Sequence, residues 1–358
     1  MTPATLRRQR TTQTSPTRFP STRYQGSKRK LADSILCALE DLEFTTVLDA
    51  FGGTGAVAHA FKRAGQAVTY NDLLAFNHQI GLALIENDVV RLSSKEIGRI
   101  GARQPGHRYD DLIERTFDGI YFTRAENRWL DVAVGNLRQI PCIYERALAG
   151  YALFQSAMAK RPYNLFHRRN LYMRTADVRR SFGNKTTWDR SFTDHFAAFA
   201  AEANEAVIDS DGRSRALCRD ALEIEPGFDL VYIDPPYLNH AGIGVDYHHF
   251  YHFLEGLVCY DDWEKWIDFS SKHRRLTRRN NPWTDRTRVH QQFVKLFDRF
   301  RDSILVVSYR SDGIPSIEEL TGMLSDVKRQ VRLIDGPTYQ YALSTNRRSR
   351  EVLLVGID

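Results

Sequence analysis

Apolar residues in this chain gather into short runs that stop abruptly. The clearest are Thr46 to Ala50, Ala67 to Asn71, Leu230 to Asp234, Ile304 to Tyr309, Val331 to Ile334 and Glu351 to Ile357. Runs of this length, rich in β-branched and aromatic residues, predict buried strands. Between the first two, Ala56 to Ala64 carries apolar residues at helical spacing and closes on Gly65, which predicts a helix and its stop. Strands separated by helical patterns predict an α/β fold, a doubly wound, mostly parallel Rossmann-like sheet with helices on both faces. From residue 85 to 215 the pattern is helical with basic loops and no convincing strand series, so this interval reads as an insertion. Residues 21–84 and 216–358 then form the main domain, and residues 1–20, rich in Arg, Ser and Thr, read as a disordered basic tail.

Two of the predicted strand ends carry chemistry. Asp229 to Tyr237 reads Asp-Leu-Val-Tyr-Ile-Asp-Pro-Pro-Tyr, a buried strand ending in a carboxylate, two prolines and an aromatic ring. Each proline holds the residue before it extended, which leaves the carbonyls of Asp234 and Pro235 without helical donors. With the Asp234 carboxylate they can accept from one planar NH2 group, favouring a pyramidal nitrogen with a localised lone pair. Tyr237 offers a face for a base to stack on, a contact of about 1–3 kcal/mol. The competing reading is a strand end followed by a Pro-Pro turn.

Val47 to Gly55, Val-Leu-Asp-Ala-Phe-Gly-Gly-Thr-Gly, is a strand opening into a glycine-rich turn where a ligand can approach the backbone. Asp72 ends the next strand at the interval where a strand-end acid reaches ribose hydroxyls in doubly wound sheets, which implies an adenosyl ligand. The turn is neither Gly-x-Gly-x-x-Gly nor a triphosphate-binding Gly-Lys-Ser/Thr.

Together, Tyr-Gln-Gly-Ser-Lys (Tyr24 to Lys28), Asp-x-Phe-x-Gly-x-Gly (Asp49 to Gly55), Asn71-Asp72 and Asp-Pro-Pro-Tyr (Asp234 to Tyr237), in this order, resemble the Dam-like, alpha-order class of adenine-specific DNA methyltransferases. The resemblance implies S-adenosylmethionine as methyl donor, with Tyr24, Lys28, Asp49, Phe51, Gly52, Gly53, Gly55, Asp72, Asp220 and Asp234 around it and no metal. It implies catalysis at Asp234, Pro235, Pro236 and Tyr237, a C-terminal antiparallel hairpin, and residues 85–215 as a target-recognition region. The family usually has Trp at the place of Tyr24 and often Gly at that of Ser27. Asp220 looks like the acid that contacts the donor's adenine amino group; capping a turn is its alternative role. A cytosine-N4 methyltransferase and an inactive DNA-binding module on the same fold are the rival functions.

A base inside a duplex cannot reach such a pocket, so the target must be flipped out and held on a DNA-binding surface. Formal net charge is only +6, but the first thirty residues hold eight Lys or Arg and no acid; Arg161 to Arg190 holds eight against two acids, and Ser271 to His290 seven against one. Such stretches supply affinity for the double-stranded DNA backbone without sequence information. Arg168, Arg169 and Arg174 lie in a run that mixes basic, amide and aromatic residues, the composition needed for base contacts. Ser271 to His290, lacking periodicity, reads as a mobile loop on the DNA backbone.

At 358 residues and 42% hydrophobic content the chain can bury a large core, and no run approaches a membrane span. Four scattered cysteines suggest a reducing cytoplasm and neither a disulfide frame nor a zinc site; the resemblance implies bacterial or phage-type, nucleoid-associated work. Cys142, after Pro141, reads as a buried helix residue and not as a nucleophile. His248, His249 and His252 have metal-like spacing but no completing carboxylate, and Tyr247 to Phe253 reads as a lid over the site. Ser308 to Pro315 is a further candidate lining of the base pocket. The resemblance admits, without requiring it, a cognate restriction endonuclease acting separately on the same DNA.

Overall fold

The computed structural model describes residues 18–177, 185–239, 242, 244–277, 280–335 and 350–358. Most of the expected basic tail therefore lies outside the described residues. The central sheet has seven strands: β1 (Thr46–Asp49), β2 (Ala67–Asn71), β3 (Arg215–Leu217), β4 (Leu230–Ile233), β5 (Ile304–Arg310), β6 (Gln330–Asp335) and β7 (Glu351–Ile357). Their spatial order is β3-β2-β1-β4-β5-β7-β6. The first five are parallel, whereas β7 runs antiparallel to both β5 and β6. The expected α/β fold, mostly parallel sheet and C-terminal hairpin are all present.

Alternation along the strands assigns each residue to a face. Val47, Val68, Tyr70, Leu230, Tyr232, Val306 and Leu353 belong to one core, and Leu48, Val231, Ile233, Leu305, Val307 and Leu354 to the other. The first core takes helices α1 (Ala56–Arg63), α2 (Ala75–Gly81), α3 (Arg124–Arg138), α4 (Ile143–Ala159), α5 (Phe192–Glu205) and α6 (His252–Val258). The second takes α7 (Val289–Arg299) and α8 (Ile317–Ser325), through Phe293, Leu296, Phe297, Leu320 and Leu324. Burial on both faces is why these strands read as continuous apolar runs.

Residues 85–215, the expected insertion, pack closely on the main domain. Their central helix is interior: every residue of α4 from Ala147 to Ala159 is buried, and the interval shares one hydrophobic core with the sheet. The short strand β3 starts at Arg215, where the interval ends, and pairs with β2 at Thr69↔Arg215, Tyr70↔Ala216 and Asn71↔Leu217. Cys142 is corrected: half-buried and extended, it precedes α4, because Pro141 separates α3 from α4 instead of sitting within a helix.

Candidate functional site

The glycine turn after β1 is shaped by Tyr70 beneath it. A Cβ on Gly52 would fall 2.0 Å from a Tyr70 ring carbon, so that position admits glycine alone, and Gly55 holds φ +75° to start α1. The Tyr70 hydroxyl donates to the Gly53 carbonyl at 2.7 Å. Asp72, at the end of β2, accepts from the Gly53 N–H at 2.9 Å and from the Leu74 N–H at 2.8 Å. It therefore ties the turn to the start of α2, and since each carboxylate oxygen can accept more than one bond, capacity remains toward a ligand. Burial pushes its carboxyl above the ordinary range, and those N–H bonds offset part of the effect.

The turn and the strand ends open onto one cavity. Tyr24, Lys28, Asp49, Phe51, Gly52, Gly53, Asp72, Asp220, Asp234 and Pro236 all line it, whereas Gly55 supports it from the head of α1. Five carboxylates, Asp49, Asp72, Asp220, Asp234 and Asp246, face Lys28 and Arg219 there, so a basic chain encloses an acidic cavity suited to a cationic ligand. Asp49 is 1% exposed and its Oδ1 has no hydrogen-bond partner. Burial, with Asp234 and Asp72 adding like charge, pushes its carboxyl up to about 8. An ammonium or sulfonium ligand would relieve that cost. Asp220 caps a turn, accepting from the Leu222 N–H at 3.0 Å, and also lines the cavity.

Around Asp234 the charges interlock. Lys28, 6% exposed, places Nζ 2.9 Å from Asp234 Oδ1 and 2.9 Å from Glu351 Oε1, and Glu351 accepts from the Ser308 hydroxyl at 2.7 Å. Burial works against the Lys28 charge, but Asp234 and Glu351 together hold its amine well above the usual lysine range. Burial raises the Asp234 carboxyl above the ordinary carboxylate range; Lys28 offsets part of this and Glu351 adds to it. Tyr24 stacks on Tyr251 (4.4 Å between centroids) and Tyr247 (5.5 Å), and its hydroxyl accepts from Asn77.

Several expected residues stand elsewhere. Pro235 and Tyr237 are buried and outside the cavity wall. Tyr237 packs edge-on to Tyr309, with the Arg310 guanidinium 5.3 Å from its ring centroid, so its ring is not the open stacking face the sequence suggested. Arg174 is also corrected: it is 8% exposed and paired at 2.6 Å with Glu126, which further binds Lys160, so its charge is spent inside the protein. Arg161 is interior too, giving hydrogen bonds to the carbonyls of Leu165, Tyr121 and Arg168, and burial lowers its pKa to about 9. Arg168 and Arg169 are exposed. Of the expected lid, Tyr247 and His248 line the cavity while Tyr251 and Phe253 are core residues. His252 Nε2 meets the Tyr121 hydroxyl at 2.8 Å.

Two contributors escaped the sequence reading, Glu351 and Trp283, and the expected lid contributes in an unforeseen way, through the stack of Tyr247 and Tyr251 on Tyr24. Trp283 lies in the basic stretch read as a mobile loop, yet it and Leu276 are buried. Asn280, Asn281 and Trp283 join the cavity wall, with Trp283 edge-on to Phe51 at 4.9 Å. The available signals were a tryptophan inside a charged segment and an acid heading an apolar strand.

A sheet ordered 3-2-1-4-5-7-6, with an acidic cleft at its parallel carboxyl ends and Asp-Pro-Pro-Tyr beside it, defines a nucleoside-sulfonium-dependent methyltransferase. The chain matches the model of the D12 class N6 adenine-specific DNA methyltransferases over residues 24–299, and it belongs to that family. It is 27% identical over 347 residues to the type II methyltransferase M2.HphI of Haemophilus parahaemolyticus, covering 94% of this chain and 97% of that one. Modification methylase LlaI of Lactococcus lactis subsp. lactis is 25% identical over 317 residues, and type II methyltransferase M.FokI of Planomicrobium okeanokoites 24% over 343. Each alignment takes in 84% of this chain, which spans about half the length of those two relatives (48% and 46%). The protein is a DNA methyltransferase that uses S-adenosylmethionine to methylate adenine at N6.

Proposed function

We propose that the edge formed by Asp234 and Pro236 receives an adenine rotated out of duplex DNA and holds its amino group toward the methyl donor. The observation that carries this reading is the position of Asp234, at the cavity end of β4, with 16% of its side chain exposed and one oxygen held by Lys28. Its other oxygen and the adjacent carbonyls are free of helical geometry and suited to accept from one NH2 group. The donor supplies a methyl group on a sulfonium centre, already a good leaving group, so the protein's task is alignment. Asp49, Asp72 and Asp220 supply carboxylates for the donor's ammonium, ribose and adenine ends, and the Gly52–Gly53 backbone admits it closely. Tyr24 is held in its stack to wall the same space.

Exposed Arg168 and Arg169 contact DNA, and residues 85–215 select the target sequence from the surface of their helices. Names of relatives as type II methyltransferases and modification methylases support work beside a separate restriction endonuclease, on DNA in the bacterial cytoplasm. Among the described residues no helix is long and apolar enough to cross a membrane.

The test is Asp234→Ala, checked for fold and for binding of S-adenosylhomocysteine, then assayed for methyl transfer to unmethylated DNA with nucleoside analysis. Loss of one preorganised acceptor at the reacting amine should slow methyladenine formation by about 10²–10³. An undiminished rate with donor binding intact would overturn the assignment of Asp234.

A further inference from the structure

Lys28 answers two buried carboxylates, one of which lies outside the region that carries the family match. Glu351 heads β7, and because β7 runs antiparallel to β5 with Glu351 opposite Arg310, that first residue lies at the carboxyl, cavity-facing end of the parallel strands. There it reaches Lys28 Nζ at 2.9 Å, the same distance as Asp234, is 5% exposed, and is steadied by the Ser308 hydroxyl at 2.7 Å.

We propose that Glu351 is a positioning residue for methyl transfer: by sharing Lys28 with Asp234 it keeps the group around the adenine amine net negative at the moment that amine becomes cationic. This rests on the role of Asp234 given above. As the amine's lone pair forms the new N–C bond, the C–S bond breaks with its electron pair left on sulfur. One positive charge thereby passes from sulfur to nitrogen, and one N–H proton is then lost to Asp234. With Glu351 ionised, Lys28, Asp234 and Glu351 sum to one negative charge, which favours that displacement of charge; with Gln in its place they sum to zero, and Lys28 neutralises Asp234 alone. The other titratable or charged groups facing the cluster are Tyr232 and Tyr237 toward Lys28, Asp49, Tyr247 and Tyr309 toward Asp234, and Arg310 over the Tyr237 ring.

The experiment uses the full chain, S-adenosylmethionine and unmethylated duplex DNA, with single-turnover rates from pH 5.5 to 9 and S-adenosylhomocysteine affinity measured alongside. Glu351→Gln should slow transfer about five- to ten-fold, the order expected from removing one charge at a screened interior distance. It should move the acid limb of the rate profile to lower pH, because Asp234 loses a neighbouring negative charge, while donor affinity stays within two-fold. Glu351→Asp, which keeps the charge, should recover most of the rate with the limb unmoved, and Ser308→Ala should lose less than two-fold. A folded Glu351→Gln with wild-type rate and profile overturns the proposal, as does a rate loss that Asp fails to rescue or that leaves the limb in place. If Asp234→Ala is inactive while Glu351→Gln is normal, only this proposal fails; if Asp234→Ala is fully active, the assignment of Asp234 fails with it.

Discussion

Replacing Lys28 with Met tests the charge arrangement through stability rather than rate. Methionine keeps the length and apolar stem of the lysine but leaves Asp234 and Glu351 facing each other with no cation, where Nζ had stood 2.9 Å from each. Removing one member of a buried ion pair costs about 3–5 kcal/mol when the remaining charge must stay ionised. The variant can avoid part of that cost by protonating one carboxylate, and this makes the deficit depend on pH. In the wild type, the raised Lys28 pKa means that its stabilisation is complete throughout the neutral range and is lost only as pH rises through the folded value, far above it. Asp234 is already raised by burial in the wild type, and Lys28 holds part of that rise back. Without the lysine the Asp234 carboxyl rises further, so the variant's native state binds an extra proton, and its stability is greatest at low pH and falls as pH climbs through the raised value.

Between pH 5.5 and 8.0, one proton taken up by the native state over about two pH units corresponds to about 2–3 kcal/mol. Urea denaturation of Lys28→Met and wild type at the two pH values should give a deficit larger at pH 8.0 by about that amount. Adding Glu351→Gln to Lys28→Met removes the like-charge pair and should recover much of the loss at pH 8.0, giving a coupling energy opposite in sign to a simple sum of two defects. A deficit independent of pH, or one greatest at pH 5.5, would show that Lys28 is not the cation holding two carboxylates together.

Two further outcomes separate surface charge from buried charge and neutral from ionised histidine. Arg168→Ala with Arg169→Ala should weaken duplex binding and flatten the slope of log affinity against log salt by about 1.8; Arg174→Ala should leave that slope unchanged and instead lower stability by about 1–3 kcal/mol, since Glu126 loses a charged hydrogen-bond partner. His59, 1% exposed, has its pKa lowered to about 4, chiefly by burial, so its stabilising contribution is complete above pH 6.5 and is lost as pH falls toward 4. Raised Asp49 works the other way, gaining stability as pH falls, so the comparison is with His59→Gln: relative to that variant the wild type should lose melting temperature across the window, and a difference flat from pH 7 to 4.5 would refute the neutral buried ring, which is worth about 3 kcal/mol.

Legibility in the sequence followed locality. Leu230 to Ile233 announced itself because both faces of the strand are covered and every residue is apolar. The glycine turn, Asp72 and Asp234 were readable for the same reason: each sits within a few residues of a strand end, where a polar residue breaks an apolar run. What failed was burial of charge. Arg161 and Arg174 counted as positive surface in a tally of basic residues, although the fold sets one on the Tyr121 ring, 4.4 Å from its centroid, and pairs the other with Glu126. The helix Ala147–Ala159 was assigned to an insertion because a helix apolar on nearly all sides has no amphipathic stripe to show which way it packs. The three-residue strand β3 lies at the sheet edge and carries exposed Arg215, too short and too polar to give a period.

Glu351 is the instructive omission: an acid heading an apolar strand marks a strand end, but no local pattern says which edge of the sheet that end reaches. Lys28 and Glu351 stand near opposite ends of the chain and meet only because of strand direction. In a wholly parallel sheet the first residue of the last strand would lie at the amino edge, a full strand length from the cavity. Reversing β7 carries it to the carboxyl edge, and insertion of β7 between β5 and β6 places it beside Ser308 and within reach of Lys28. The antiparallel strand therefore does more than close the sheet: it delivers a second carboxylate for Lys28 to the cavity edge of a fold whose parallel strands present that edge only with their last residues. A relative that kept Lys28 and Asp234 but ran this strand parallel would have to draw the second acid from a loop, where holding it within 3 Å of a buried amine costs more side-chain entropy.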